Sequence, residues 1–179
     1  MDKIFENNQV TITGEITSPF TFSHEVFGEG FYVANLSVAR LSGSADIIPI
    51  MVSERLFEIH SLTGAFVKVT GQFRSYNRHE GGKNNLILSV FAREIQIPYI
   101  ASDGVVNNIA LDGYLCKPPI YRQTPLGREI ADLVIAVNRP YGKSDYIPCI
   151  CWGRNARFAE TLEVGGRVQV WGRVQSRDI

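Results

Sequence analysis

Cysteine is scarce in this chain, three residues among 179, and two of them stand as Cys149-x-Cys151. An odd count with that spacing makes no disulfide framework, and no Cys/His pair at ligand spacing completes a metal site around it. The thiols read as buried groups in a reducing, cytoplasmic compartment, with no metal and no cofactor. Long apolar runs are missing as well. None approaches the roughly 20 residues needed to cross a bilayer, and the polar start Met1-Asp-Lys-Ile-Phe-Glu6 has no hydrophobic segment of the kind a secretory signal carries. No membrane role is expected. Histidine is limited to three residues, and His24-Glu25, His79-Glu80 and Cys149-x-Cys151 form no nucleophile–base arrangement, so no enzyme is expected either.

Net charge is the last absence, because 18 basic and 18 acidic residues cancel. The average conceals a difference between the halves. Residues 1–100 carry eight basic and ten acidic side chains, and the remainder carries ten and eight. A surface for a polyanion belongs more naturally in the second half.

What the chain does contain is itself, twice. Asn8-Gln-Val-Thr-Ile-Thr-Gly14 matches Asn107-Asn-Ile-Ala-Leu-Asp-Gly113, with Pro19 and Pro118 following at equal distance. Ala34-Asn-Leu-Ser-Val-Ala39 matches Ala131-Asp-Leu-Val-Ile-Ala136, and Ile48-Pro49-Ile50 matches Ile147-Pro148-Cys149. Gly64 through Ser75 matches Gly165 through Ser176, with Gly71 aligned to Gly172. A repeat of roughly 100 residues is the size of a domain and far longer than a solenoid unit. Two domains are expected, over 1–100 and 106–179, joined near Ala101-Ser-Asp-Gly104.

Each copy reads as strand. In the first, alternation predicts strands over 10–16, 31–39 and 46–52, with a hairpin turn at Gly28-Glu-Gly30. A short helix follows Ser53, with Leu56, Ile59 and His60 at helical spacing; its counterpart covers 154–162 and sets Ala159 and Leu162 on one face. Strands over 66–75 and 86–97 follow, separated by a tip at 80–85. Three strands, a helix and two strands is the order of the OB-fold, a five-stranded Greek-key barrel. The fold class is therefore all-β, two tandem OB barrels, the second stopping at Ile179 before any fifth strand.

The stretch 144–154 carries the chemistry. Its odd positions Ile147, Cys149 and Cys151 suit a barrel interior, while its even positions put Tyr146 and Trp152 on one face. Aromatic rings on a sheet face, with arginine and lysine nearby, make a stacking platform for single-stranded nucleic acid.

The second copy resembles the bacterial single-stranded DNA-binding protein family. The resemblance rests on Thr124-Pro-x-Gly127, Ala131-x-Leu-x-Ile-Ala-Val-Asn-Arg139, Asp145-Tyr-Ile-Pro, Trp152-Gly-Arg and the run from Gly165 to Arg177. It implies single-stranded DNA binding without strong sequence preference, in replication, repair or recombination. By motif position it places stacking rings at Tyr141, Tyr146 and Trp152. Arg139, Lys143, Arg154, Arg173 and Arg177 lie at or beside those strands as candidates for phosphate, and Tyr121 and Arg122 just before the hairpin turn join them. In the first copy Ser44, Ile47 and Ser53 stand at the ring positions, so that copy reads as a scaffold. The resemblance also implies a homodimer, since single-barrel members assemble as tetramers, and replication proteins as further partners. The competing function is a primosome-type OB-fold adaptor that mainly binds replication proteins.

Overall fold

The computed structural model describes residues 7–56, 62–100 and 104–176. Contacts divide it into two units, one built on Asn8–Ala110 that also takes in the segment from Trp171, the other on Leu111–Val170 with Asn7.

The first unit holds β1 (Asn8–Ile16), β2 (Thr21–Val26), β3 (Glu29–Ala39), β4 (Ala45–Ser53), β5 (Phe66–Glu80) and β6 (Lys83–Gln96). β1 pairs β5, β5 pairs β6, β6 lies parallel to β4, β4 pairs β3, and β3 returns to β1, so the ladder closes on itself. Inside the circuit Ile12, Leu36, Val38, Ile50, Val69 and Val90 lose all contact with solvent. Closure depends on one glycine. At Glu15, β1 is opposite Phe66 of β5 and Ser37 of β3 at once. A Cβ on the preceding Gly14 would sit 2.1 Å from the Ser37 carbonyl oxygen, and one on Gly113 2.3 Å from that of Ala136. Only glycine allows strands to approach that closely, which is why both copies keep it.

Two further repeated residues have structural reasons. The Asn8 side chain donates to the Phe73 carbonyl at 2.7 Å and accepts from the Phe73 N–H at 2.8 Å. Asn107, grouped with the first unit, does the same with Val174 at 2.9 and 2.8 Å. Each asparagine thereby extends a ladder with its amide where the backbone alone would leave two groups unpaired. The second device is an ion pair: Arg40 Nε donates to Asp46 at 2.8 Å, and Arg139 Nε to Asp145 at the same distance. Both carboxylates are buried, and the planar guanidinium compensates them with two parallel hydrogen bonds.

The second unit contains β7 (Asn107–Leu115) from Leu111 onward, β8 (Ile120–Gln123), β9 (Glu129–Asn138), β10 (Ser144–Trp152), α1 (Arg154–Glu160) and β11 (Arg167–Gly172) up to Val170. β9 is central, pairing with β7, β8 and β10, and β11 pairs with β7. α1 follows β10 and lays Ala156 and Ala159 against Leu115, Ala131 and Leu133.

The structure departs from the sequence reading in several places. β2 and β8 are additional short strands paired to β3 and β9. The tip expected over 80–85 shrinks to Gly81-Gly82, both at positive φ, with Glu80 opposite Lys83. Two glycines at positive φ form the tight turn whose twist matches the flanking strands, so β5 and β6 run on into it. Of the helix expected after Ser53, Ile59 and His60 lie outside the described residues. Among those described, no strand follows β11, and β10 pairs with β9 alone.

The repeat alignment also shifts. Leu36 is opposite Ile48, and Ile135 is opposite Ile147. Leu36 therefore corresponds to Ile135 and not to Leu133, a slip of two residues. A two-residue slip leaves every side chain on its original face, so alternation alone could not detect it. The turn moves with it. The Arg40 N–H donates to the Ser44 carbonyl at 2.8 Å and the Arg139 N–H to that of Lys143 at 2.6 Å, so Tyr141 corresponds to Ser42, not Ser44.

Candidate nucleic-acid interface

β10 alternates as its residues demand. Asp145 and Ile147 point inward, while Tyr146 and Trp152 point outward at 46% and 49% exposure. Burial pushes the Cys149 thiol up to about 12, so it stays protonated and inert at neutral pH. Strand register then tells which neighbours share the outer face. Arg122, Ile130 and Trp152 form one cross-strand row, Ile120, Asp132 and Ile150 a second, and Ala136 and Tyr146 another. Arg122 is tied to Asp132 at 3.3 Å, but both side chains keep solvent contact.

Tyr141 sits in the turn between β9 and β10, fully exposed, with φ 70° and ψ 28°. A tyrosine in that left-handed region is strained, and its ring makes no compensating burial. Lys143 beside it is exposed, as is Arg154 on the first turn of α1.

Other expected residues fall elsewhere. Arg139 is engaged with buried Asp145, so its guanidinium serves the fold. Tyr121 is opposite Ala131, which is opposite Cys151, so it lies on the inner face away from Trp152. It packs against the small core under α1, and burial followed by its hydrogen bond to Glu129 raises its phenol above the ordinary value. Arg173 is exposed but grouped with the first unit. Arg177 lies outside the described residues.

Two residues were missed. Arg128 has the parity of Ile130, and with Gly127, Glu129, Trp152 and Gly153 it lines an open concavity of about 490 Å³ beside the indole. Tyr114, half-exposed on β7, is opposite Ala136 and so joins the row of Tyr146. Parity counting could have found the first. The second needed the register between β7 and β9.

The equivalent rows of the first unit read differently. Where the second has Arg122, Ile130 and Trp152, the first has His24, Phe31 and Ser53. Phe31 is only 8% exposed; the His24 ring stacks on it at 5.0 Å, Phe91 packs beside it at 5.6 Å, and the Arg74 guanidinium lies 3.9 Å over Phe91. These rings cover one another. Where the second unit has Tyr114, Ala136 and Tyr146, the first has Glu15, Ser37 and Ile47.

Comparison with known proteins agrees on the second copy. Residues 106–179 match the model of the single-strand binding protein family. A single-stranded DNA-binding protein of Oceanobacillus iheyensis is 37% identical over 81 residues, which is 41% of this chain and 50% of that protein. Single-stranded DNA-binding protein A of Bacillus subtilis is 36% identical over 81 residues, again 41% of this chain, and 47% of the relative. The chain thus spans about half the length of the curated relatives it matches. The solved wild-type single-stranded DNA binding protein from Thermus aquaticus shares the fold, with a TM-score of 0.76 and 22% identity over 94% of this chain and 84% of that one.

Proposed function

We propose that this chain, whose residues 106–179 match the single-strand binding protein family, is a non-catalytic protein that binds single-stranded DNA without strong sequence preference, in replication, repair or recombination. The observation that carries this reading is the outer face of β10, where half-exposed Tyr146 and Trp152 lie on one side of one strand and fully exposed Tyr141 stands at its entry. Stacking serves any base, because every base has a π-face, and each stack contributes about 1–3 kcal/mol. Lys143, Arg122 and Arg154 flank those rings and meet phosphates, with Arg173 and Arg177 as further contacts. Tyr121 and Arg139 act behind this surface by supporting it.

The architecture that goes with this function is two tandem OB barrels over 1–100 and 106–179, in a homodimer that brings four barrels together. The second copy holds DNA and the first is scaffold, a division supported by Ile47 and Ser53 at the positions of Tyr146 and Trp152. The alternative is a primosome-type OB-fold adaptor that mainly binds replication proteins. It is favoured by β2, whose residues are all exposed and lead Phe22 and Val26 to a fully exposed Phe27.

Both tryptophans, Trp152 and Trp171, lie in the second copy. Trp152 lies on the proposed face, so titration with a thymidine homopolymer should quench the tryptophan fluorescence. Affinity should fall as salt rises, with a slope of about −0.7 per phosphate contact. A chain that leaves the homopolymer unbound at low salt contradicts the reading.

A further inference from the structure

We infer that the second unit carries a slot for one unstacked base of a single strand, walled by Tyr114 and Tyr146 and floored by Ala136. The inference rests on the single-stranded DNA reading and names a wall of that site which neither the repeat nor the motifs assign.

Register makes the slot. Tyr114 on β7 and Tyr146 on β10 are both directly opposite Ala136 on β9, one from each side. Directly opposed residues share a sheet face, so both rings and the methyl group project outward in a single row. Neighbouring strands lie about 4.8 Å apart, which separates the two tyrosine Cβ atoms by roughly 9.6 Å. A base held between two rings needs their planes about 7 Å apart, twice the 3.4 Å stacking step. Closing that difference requires each phenol to lean toward the other around the base. The floor is low enough to admit the base, because alanine raises only a methyl group and keeps some solvent contact.

The walls are held in place. Gly113 brings β7 so close to β9 that a Cβ there would meet the Ala136 carbonyl oxygen at 2.3 Å. The carboxylate next along the same face of β7, Asp112, would repel phosphate if free. Arg167 Nε donates to it at 2.9 Å, its Nη2 donates at 2.6 Å, and the pair holds the Asp112 carboxyl below the ordinary value. Tyr114 at 45% exposure and Tyr146 at 46% both present their rings to solvent. The corresponding row of the first unit, Glu15, Ser37 and Ile47, has a carboxylate for one wall and no ring for the other. The slot belongs to the second unit alone.

The test uses the full chain and a thymidine oligonucleotide with one central 5-iododeoxyuridine, read by fluorescence titration and by peptide mapping after irradiation. Tyr114→Leu, which keeps apolar bulk without a ring, and Ala136→Leu, which fills the slot while leaving both rings, should each weaken binding roughly tenfold. Tyr114→Phe should bind like wild type, since stacking needs the ring and not the hydroxyl. Photocrosslinks should map to Tyr114 or Tyr146, and Ala136→Leu should abolish them there. If Trp152→Ala weakens binding while Tyr114→Leu and Ala136→Leu bind as wild type, the slot is wrong and the broader reading stands. If the wild-type chain leaves the oligonucleotide unbound, the reading falls and the slot with it.

Discussion

Tyr141 offers a substitution with opposite effects on folding and binding. Its φ of 70° lies in the left-handed region, and its ring is fully exposed, so the fold gains no burial from it. That conformation costs an ordinary residue about 1–2 kcal/mol. Asparagine tolerates it through local hydrogen bonding and adds none of the unfolded-state freedom that glycine would. Tyr141→Asn should therefore raise stability by roughly 1 kcal/mol, about 2–4 °C in Tm for a chain of this size. If the ring stacks on a base, the same change removes about 1–3 kcal/mol of binding, up to about a hundredfold in affinity. Thermal unfolding followed by circular dichroism gives the first quantity, and titration with a thymidine homopolymer gives the second. A variant that melts lower than wild type would show that the ring serves the fold. One that binds DNA as tightly as wild type would remove Tyr141 from the interface.

Three other substitutions or conditions follow from named contacts. Arg139→Ala should cost about 3 kcal/mol of stability in chemical denaturation, since it strips a buried Asp145 of its guanidinium, and any loss of DNA affinity should track unfolding. Asp46 is held below the usual 3.8, first by its hydrogen bond from Arg40 and against the cost of burial, so its contribution to stability is whole above that pH and disappears as pH falls through the lowered value. Asp46→Asn should accordingly be less stable than wild type at neutral pH, and the difference should shrink as pH falls through the lowered value. With its thiol pushed up to about 12, Cys149 should resist iodoacetamide at neutral pH in the native protein and react only on unfolding, as peptide mass spectrometry would show.

The sequence revealed those parts of the fold that depend on parity or on glycine. Alternation along 144–152 placed Tyr146 and Trp152 outside and Ile147 inside, because burial on one face forces a period of two. The repeated Gly14 and Gly113 were visible before their reason was, a strand crossing too close for any Cβ. What stayed hidden depends on pairing partners far apart in the chain. The two-residue slip between Leu36 and Ile135 preserves parity and needed the β3–β4 and β9–β10 registers to appear. Tyr121 looked like an addition to the DNA face until its partner Ala131 set it on the core side. Arg139 looked like a phosphate ligand, although Arg40 and Asp46 six residues apart in the first copy already repeat its spacing to Asp145. Tyr114 carried no local signal at all, since only the β7–β9 register brings it beside Tyr146.

The most direct test of the whole account compares the two copies in one titration at a single salt concentration. Tyr146→Ala and Trp152→Ala remove half-exposed rings and should each weaken homopolymer binding by about 1–3 kcal/mol with the fold intact. Ile47→Ala and Ser53→Ala alter the equivalent positions of the first copy. Ser53 Oγ donates to the Glu29 carboxylate, so losing it should lower stability by about 1–3 kcal/mol. Both changes should leave DNA affinity within about twofold of wild type once folding is verified by circular dichroism. Equal losses from both pairs would contradict the assignment of DNA to the second copy, and no loss from any of the four would remove the aromatic face of β10 as a binding site.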